Sequence, residues 1–161
     1  MVAYLYRMPA GIPGDVNRVQ AATVETHQID ASTGTPTRYG IPVKLVSGKV
    51  RATASGDAGT DLFGWLVRPY PTNSGVEALG AGTPASSGLC DVLRRGYMSV
   101  KLNAGTAAKG GAVYVRVTAS GGAVVGDIET AADSAKCVVV PGAKFTGPAD
   151  ANGITEVEFN I

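Results

Sequence analysis

Most of this chain alternates apolar and polar positions and shows little helical spacing. In "RRGYMSVKLN", residues 94–103, Met98, Val100 and Leu102 alternate with Tyr97, Ser99 and Lys101, the period-two signature of a strand with one dry face. A glycine-rich link, 103–111, leads to a second run in which Val113, Val115 and Val117 alternate with Tyr114 and Arg116. Aromatic and basic tips are therefore expected on the wet side of both strands. "YGIPVKLVSGKV", residues 39–50, sets Val43 and Leu45 opposite Lys44 and then meets Ser47-Gly48, a hairpin signal. The compact run Leu62, Phe63, Trp65, Leu66 and Val67, stopped by Pro69 and Pro71, suits a strand buried on both faces.

"VVGDI", "KCVVVPGAKF" and the closing "TEVEFNI", with Val157, Phe159 and Ile161 opposed to Glu156, Glu158 and Asn160, read as further strands. "ETAADSA", residues 129–135, could form one helical turn, and "DANG", residues 150–153, a tight turn. The pattern predicts an all-β fold of about eight to ten short strands, a single antiparallel β-sandwich or barrel of jelly-roll-like form. Residues 1–38, punctuated by Pro9, Pro13 and Pro36, are expected to form an extended N-terminal arm with short strands, lying on its own domain or reaching a neighbouring subunit. Residues 39–161 would then form the β-domain, with a Gly/Ser/Pro/Ala-rich surface loop at 72–88.

A chain of 161 residues fits one domain, able to bury about two thirds of its surface. Fourteen basic against 13 acidic side chains leave a net charge of +1, too little to attract nucleic acid nonspecifically. The start "MVAYLYRMPAGIPG" has no base ahead of its apolar residues and meets Pro9 early, so neither a signal peptide nor a membrane span is expected, and synthesis is expected in the cytoplasm. Cys90 and Cys137 form no C-x-x-C, and His27 is the only histidine, too few ligands for zinc. Both cysteines are expected reduced and partly buried.

The candidates for catalysis are thin. A Ser/His/Asp arrangement would have to be built on His27, near Glu25 and Asp30, and no G-x-S-x-G accompanies it. Glu156 and Glu158 share a strand face, as an acid/base pair would, but alternation alone also puts them there. Gly48-Lys49 lacks the glycine of a phosphate loop. No catalytic residue, metal, cofactor or small-molecule substrate is therefore assigned. What remains is binding surface: Tyr4, Tyr6, Arg7, Arg94, Arg95 and Tyr97 are the residue types that protein interfaces favour, in a chain with only 6% aromatics.

The ordered motifs "MPAGIPGDVNR" (8–18), "TVETHQID" (23–30), "YGIPVKLVSGKV" (39–50), "FGWLVRPYPT" (63–72), "LRRGYMSVKLN" (93–103), "GGAVYVRV" (110–117) and "PGAKFTG…NGITEVEFNI" (141–161) together resemble the structural cement, or capsid decoration, proteins of tailed bacteriophages. That resemblance implies a barrel-like or jelly-roll-like domain on the outer surface of a phage head. It would bridge neighbouring copies of the major capsid protein, as a dimer or trimer, without catalysing a reaction. The alternative is a carbohydrate-binding or host-attachment β-domain of a virion, with Trp65 or the tyrosines stacked on sugars.

Overall fold

The computed structural model describes residues 11–69 and 82–161. Its strands are β1 (Val16–Asn17), β2 (Thr23–Ile29), β3 (Pro42–Val46), β4 (Lys49–Ala52), β5 (Leu62–Leu66), β6 (Leu89–Ala104), β7 (Ala112–Arg116), β8 (Ile128–Glu129), β9 (Cys137–Phe145) and β10 (Ile154–Phe159). Among the described residues the only helical pieces are single 3-10 turns at Val19–Ala21, Gly59–Asp61 and Ser134–Lys136. The all-β expectation holds.

The organising element is β6, whose 16 residues take part in two closed circuits. Its first half pairs with β2 and β5, and the ring closes through β4 and β3. Its second half pairs with β10 and β8, and that ring closes through β9 and β7. Two small five-stranded barrels thus share one strand. They depart from a purely antiparallel fold, because β2 runs parallel to β4 and β6 runs parallel to β8. The intervening β3 and β7 carry the chain back so that each later strand can enter in the same direction.

Local sequence explains the pieces. The β3–β4 turn sets Ser47 and Gly48 at φ 50° and 78°, the left-handed pair that a two-residue hairpin needs. Gly96 sits where β6 passes from one barrel to the other, with φ 135°, and a Cβ there would lie 3.1 Å from the Ala22 Cα. Positive φ and close backbone approach both select glycine at this bend. Val43, Val50, Leu66 and Val92 fill one cluster, while Met98, Val100, Val113, Val115, Ile128, Phe145, Val157 and Phe159 fill the other. Trp65 and Leu93 alternate with Leu66 and Val92, so they face away from the first cluster and join the second. There the Trp65 ring meets the Phe159 ring edge-on at 6.3 Å, and the two barrels become one packed body.

Three local expectations are corrected. β5 is buried on both faces only from Gly64 to Leu66; Leu62 and Phe63 are half-exposed at the rim. In "ETAADSA" the single turn is 3-10 and falls at its end, over Ser134–Lys136. Arg116 is not a surface tip. It is 5% exposed, because the chain returns through β8 and places Glu129 and Asp133 on its guanidinium at 2.6 and 3.0 Å.

Candidate functional site: a basic and aromatic corner on the shared strand

Alternation on β6 puts Met98 and Val100 inside, so Tyr97 must face outward. The ladder with β2 slips between Thr23 and Val24, pairing Thr23 with Arg95 and Val24 with Leu93. Arg94 is the extra residue of this bulge, a device that re-aims side chains at a barrel rim. Arg94, Arg95 and Tyr97 thus all lie at the junction of the two barrels. The other candidates, Tyr4, Tyr6 and Arg7, lie outside the described residues.

Two stacks fix this corner. The Arg94 guanidinium sits 3.6 Å from the Phe63 ring centroid, and its Nε lies 3.6 Å from Glu25 Oε1. The His27 ring meets the same Phe63 edge-on at 5.1 Å, and His27 Nε2 is 3.2 Å from Glu25 Oε2. A few residues along, the Arg18 guanidinium covers the Tyr97 ring at 3.9 Å and donates to Glu156 Oε1 at 2.7 Å. Glu156 also accepts from Asn17 Nδ2 at 3.0 Å and from the Thr146 hydroxyl at 2.9 Å. Each arginine is therefore held by a ring and a carboxylate together, which lowers the entropy lost when a partner binds. Arg95 is exposed and makes no ion pair with any described residue.

Reading the sequence missed Phe63, Glu25 and Arg18 as parts of this corner. For Phe63 the signal pointed the wrong way, since it sits in the most apolar run of the chain. For Arg18 and Glu156, 138 residues apart, no local pattern could pair them.

The candidate catalytic groups are now placed. Glu156 is engaged by Arg18, Asn17 and Thr146, while Glu158 faces Lys144 and Tyr97 across its neighbouring strands. The β2–β6 register sets Cys90 opposite His27, a proximity no sequence spacing showed. Burial, and then the charge of Asp91, push the Cys90 thiol up to about 11. It is protonated at neutral pH, and the thiolate is the nucleophile. No hydrogen bond joins it to His27, whose ring is engaged by Glu25. Both cysteines are free thiols, Cys90 half-buried and Cys137 buried. Among the described residues no three His, Cys, Asp or Glu side chains are placed to hold a metal ion, and no helix is long and apolar enough to cross a membrane.

The model of one protein family, described as XM1 gp53 minor capsid protein, matches residues 1–159. The chain belongs to that family. It is a virion structural protein, a component of the phage capsid that associates with other capsid components, as the strand motifs had implied. No curated protein matches the sequence. Among solved structures, a chain from "The capsid of Myoviridae Phage XM1" shares the fold at a TM-score of 0.71, with 18% identity, covering 97% of this chain and 94% of that one.

Proposed function

We infer that this minor capsid protein is a cement protein. It sits on the outer surface of the head after synthesis in the host cytoplasm, bridges neighbouring major capsid subunits and catalyses no reaction. The observation that carries this reading is the corner of Arg94, Arg95 and Tyr97 on the strand common to both barrels. Two of these side chains are held in stacks and the third is exposed, so a neighbour meets a surface that needs little ordering. The arm residues Tyr4, Tyr6 and Arg7 supply a second contact. Two modest contacts on one body reinforce each other through effective concentration. The small net charge of +1 fits a crowded lattice, where strongly charged copies would repel.

The sugar-binding alternative loses its main residue, since Trp65 is 0% exposed and cannot stack on a ligand.

The test is occupancy on purified heads stripped of this protein. Arg95→Glu, at an exposed side chain, should reduce occupancy while the melting curve stays that of the parent, and Arg94→Glu with Arg95→Glu should reduce it at least about tenfold. Full occupancy by the double variant would overturn the corner's role. Heads that carry the protein should also withstand a higher temperature before releasing DNA. Equal thermal release with and without it would overturn cementing.

A further inference from the structure

One row of outward side chains crosses the second barrel, that of β6 to β10. Register sets Tyr97 of β6 opposite Glu158 of β10, and Glu158 opposite Lys144 of β9. The turn before β7 extends the row. There the Gly110 amide donates to the Phe145 carbonyl at 2.8 Å, and the Phe145 amide donates to the Gly111 carbonyl at 2.9 Å. These bonds tie the turn that carries Lys109 to the strand that carries Lys144. At the other end the Arg18 guanidinium lies over the Tyr97 ring. Arg18, Tyr97, Glu158, Lys144 and Lys109 together line a cavity of about 350 Å³.

The charges in this row do not balance. Arg18 is paired with Glu156 at 2.7 Å, but Lys109 and Lys144 are exposed and make no ion pair or hydrogen bond with any described residue. Lys144 remains unpaired although Glu158 lies directly across the ladder. The Tyr97 hydroxyl also meets no described partner. Among the described lining residues Glu158 is the sole carboxylate, against three bases. A cleft dominated by one sign of charge concentrates its field at the opening, here in a chain whose net charge is only +1. The two ammonium groups repel each other until an acid sits between them. A nucleic-acid backbone does not suit this face, because Glu156 and Glu158 would repel a run of phosphates. A single carboxylate does suit it, since it accepts charge-assisted hydrogen bonds from several donors at once.

We propose that this pocket receives an aspartate or glutamate side chain of a neighbouring capsid subunit, held between Lys109 and Lys144 beside the Tyr97 hydroxyl. The identity of the occupant rests on the cementing reading; its acidic chemistry rests on the pocket. On heads stripped of this protein, Lys109→Gln with Lys144→Gln should lower occupancy about tenfold while the melting curve stays that of the parent. Glutamine sets no new acid opposite Glu158, and Lys109→Arg with Lys144→Arg should restore occupancy. Association with heads should slow as salt rises, less steeply for the glutamine variant than for the parent. Without heads, an oligoglutamate peptide should shift the Gly110 and Lys144 amide resonances of the parent but not of the glutamine variant, and oligothymidylate should shift neither. Parental occupancy by the glutamine variant, an unchanged salt dependence, or oligoglutamate that leaves both resonances in place would each overturn the proposal, as would oligothymidylate binding there instead. Occupancy lost with Arg95→Glu but kept by the glutamine variant sinks the pocket and leaves cementing intact. Heads that release DNA at one temperature with and without the protein, while oligoglutamate still shifts Gly110, sink cementing and leave the pocket's chemistry intact.

Discussion

Replacing Arg116 by methionine should be among the most damaging single changes in this protein, although sequence alternation places it on the surface. Its side chain is 6% exposed and that of Glu129 is 7%, with 2.6 Å between Nε and Oε1. Glu129 also accepts a hydrogen bond from the Cys137 thiol at 3.4 Å, and burial followed by that same carboxylate raises the Cys137 pKa. Removing the guanidinium strands a carboxylate beside a thiol that stays protonated, with no other cation on it. Breaking a buried pair from one side costs about 3–5 kcal/mol. For a domain of this size that lowers Tm by about 6–20 °C. Asp133, 41% exposed, simply becomes hydrated. Arg116→Met with Glu129→Met removes both charges and should recover most of the loss, since an apolar pair of similar volume can replace a buried ion pair. Urea unfolding measures both, with the midpoint moving and the slope constant. A single variant within about 1 kcal/mol of the parent, or a double variant no better than the single, would refute the argument.

Gly96→Val forces a β-branched residue to φ 135° against Ala22 and should destabilise by about 2 kcal/mol or more; a melt unchanged from the parent would show that the bend can relax. Asp30 is held well below the usual carboxylate range by the Ser32 hydroxyl and amide, and then by Arg51. A depressed folded pKa contributes stability above about 3.9 that is lost as pH falls further. Asp30→Asn should therefore be less stable at neutral pH and lose less on acidification below pH 4, measured by Tm against pH. Trp65 is the sole tryptophan and fully buried, so native emission should be blue-shifted and move to the red with the global unfolding transition; a water-like native spectrum would place it elsewhere.

How much of this was legible depended on whether the deciding neighbour was near in sequence. The β3–β4 hairpin was readable because Ser47-Gly48 carries its own geometry, and the inward set Met98, Val100, Val157 and Phe159 because alternation is local. Ring closure was not, since β10 meets β6 across more than fifty residues and no turn signal names that partner. The extension of β6 back to Leu89 was not legible, because the alternation that marks its second half begins at Tyr97, past the bend at Gly96. Arg116 and Phe63 show the same limit in opposite directions. Alternation fixes which side of a strand a residue leaves from, but not whether the chain later covers it, as it covers Arg116, or leaves it at a rim, as it leaves Phe63. Of the six interface candidates, Arg94, Arg95 and Tyr97 share one corner of the fold, while Tyr4, Tyr6 and Arg7 lie outside the described residues.

The shared strand has a mechanical consequence. A load applied at Arg94, Arg95 or Tyr97 enters β6 at its midpoint, where ladders run toward both barrels. Pulling β6 free requires shearing the β2 and β5 ladders in one barrel or the β8 and β10 ladders in the other, and shear breaks several hydrogen bonds together. Trp65 and Leu93 carry the first barrel into the second cluster, so the first barrel cannot yield without opening the second barrel's core. An arrangement with separate barrels on a linker would let each barrel move alone, and Arg18 over Tyr97 and Arg94 over Phe63 would then lose their fixed spacing.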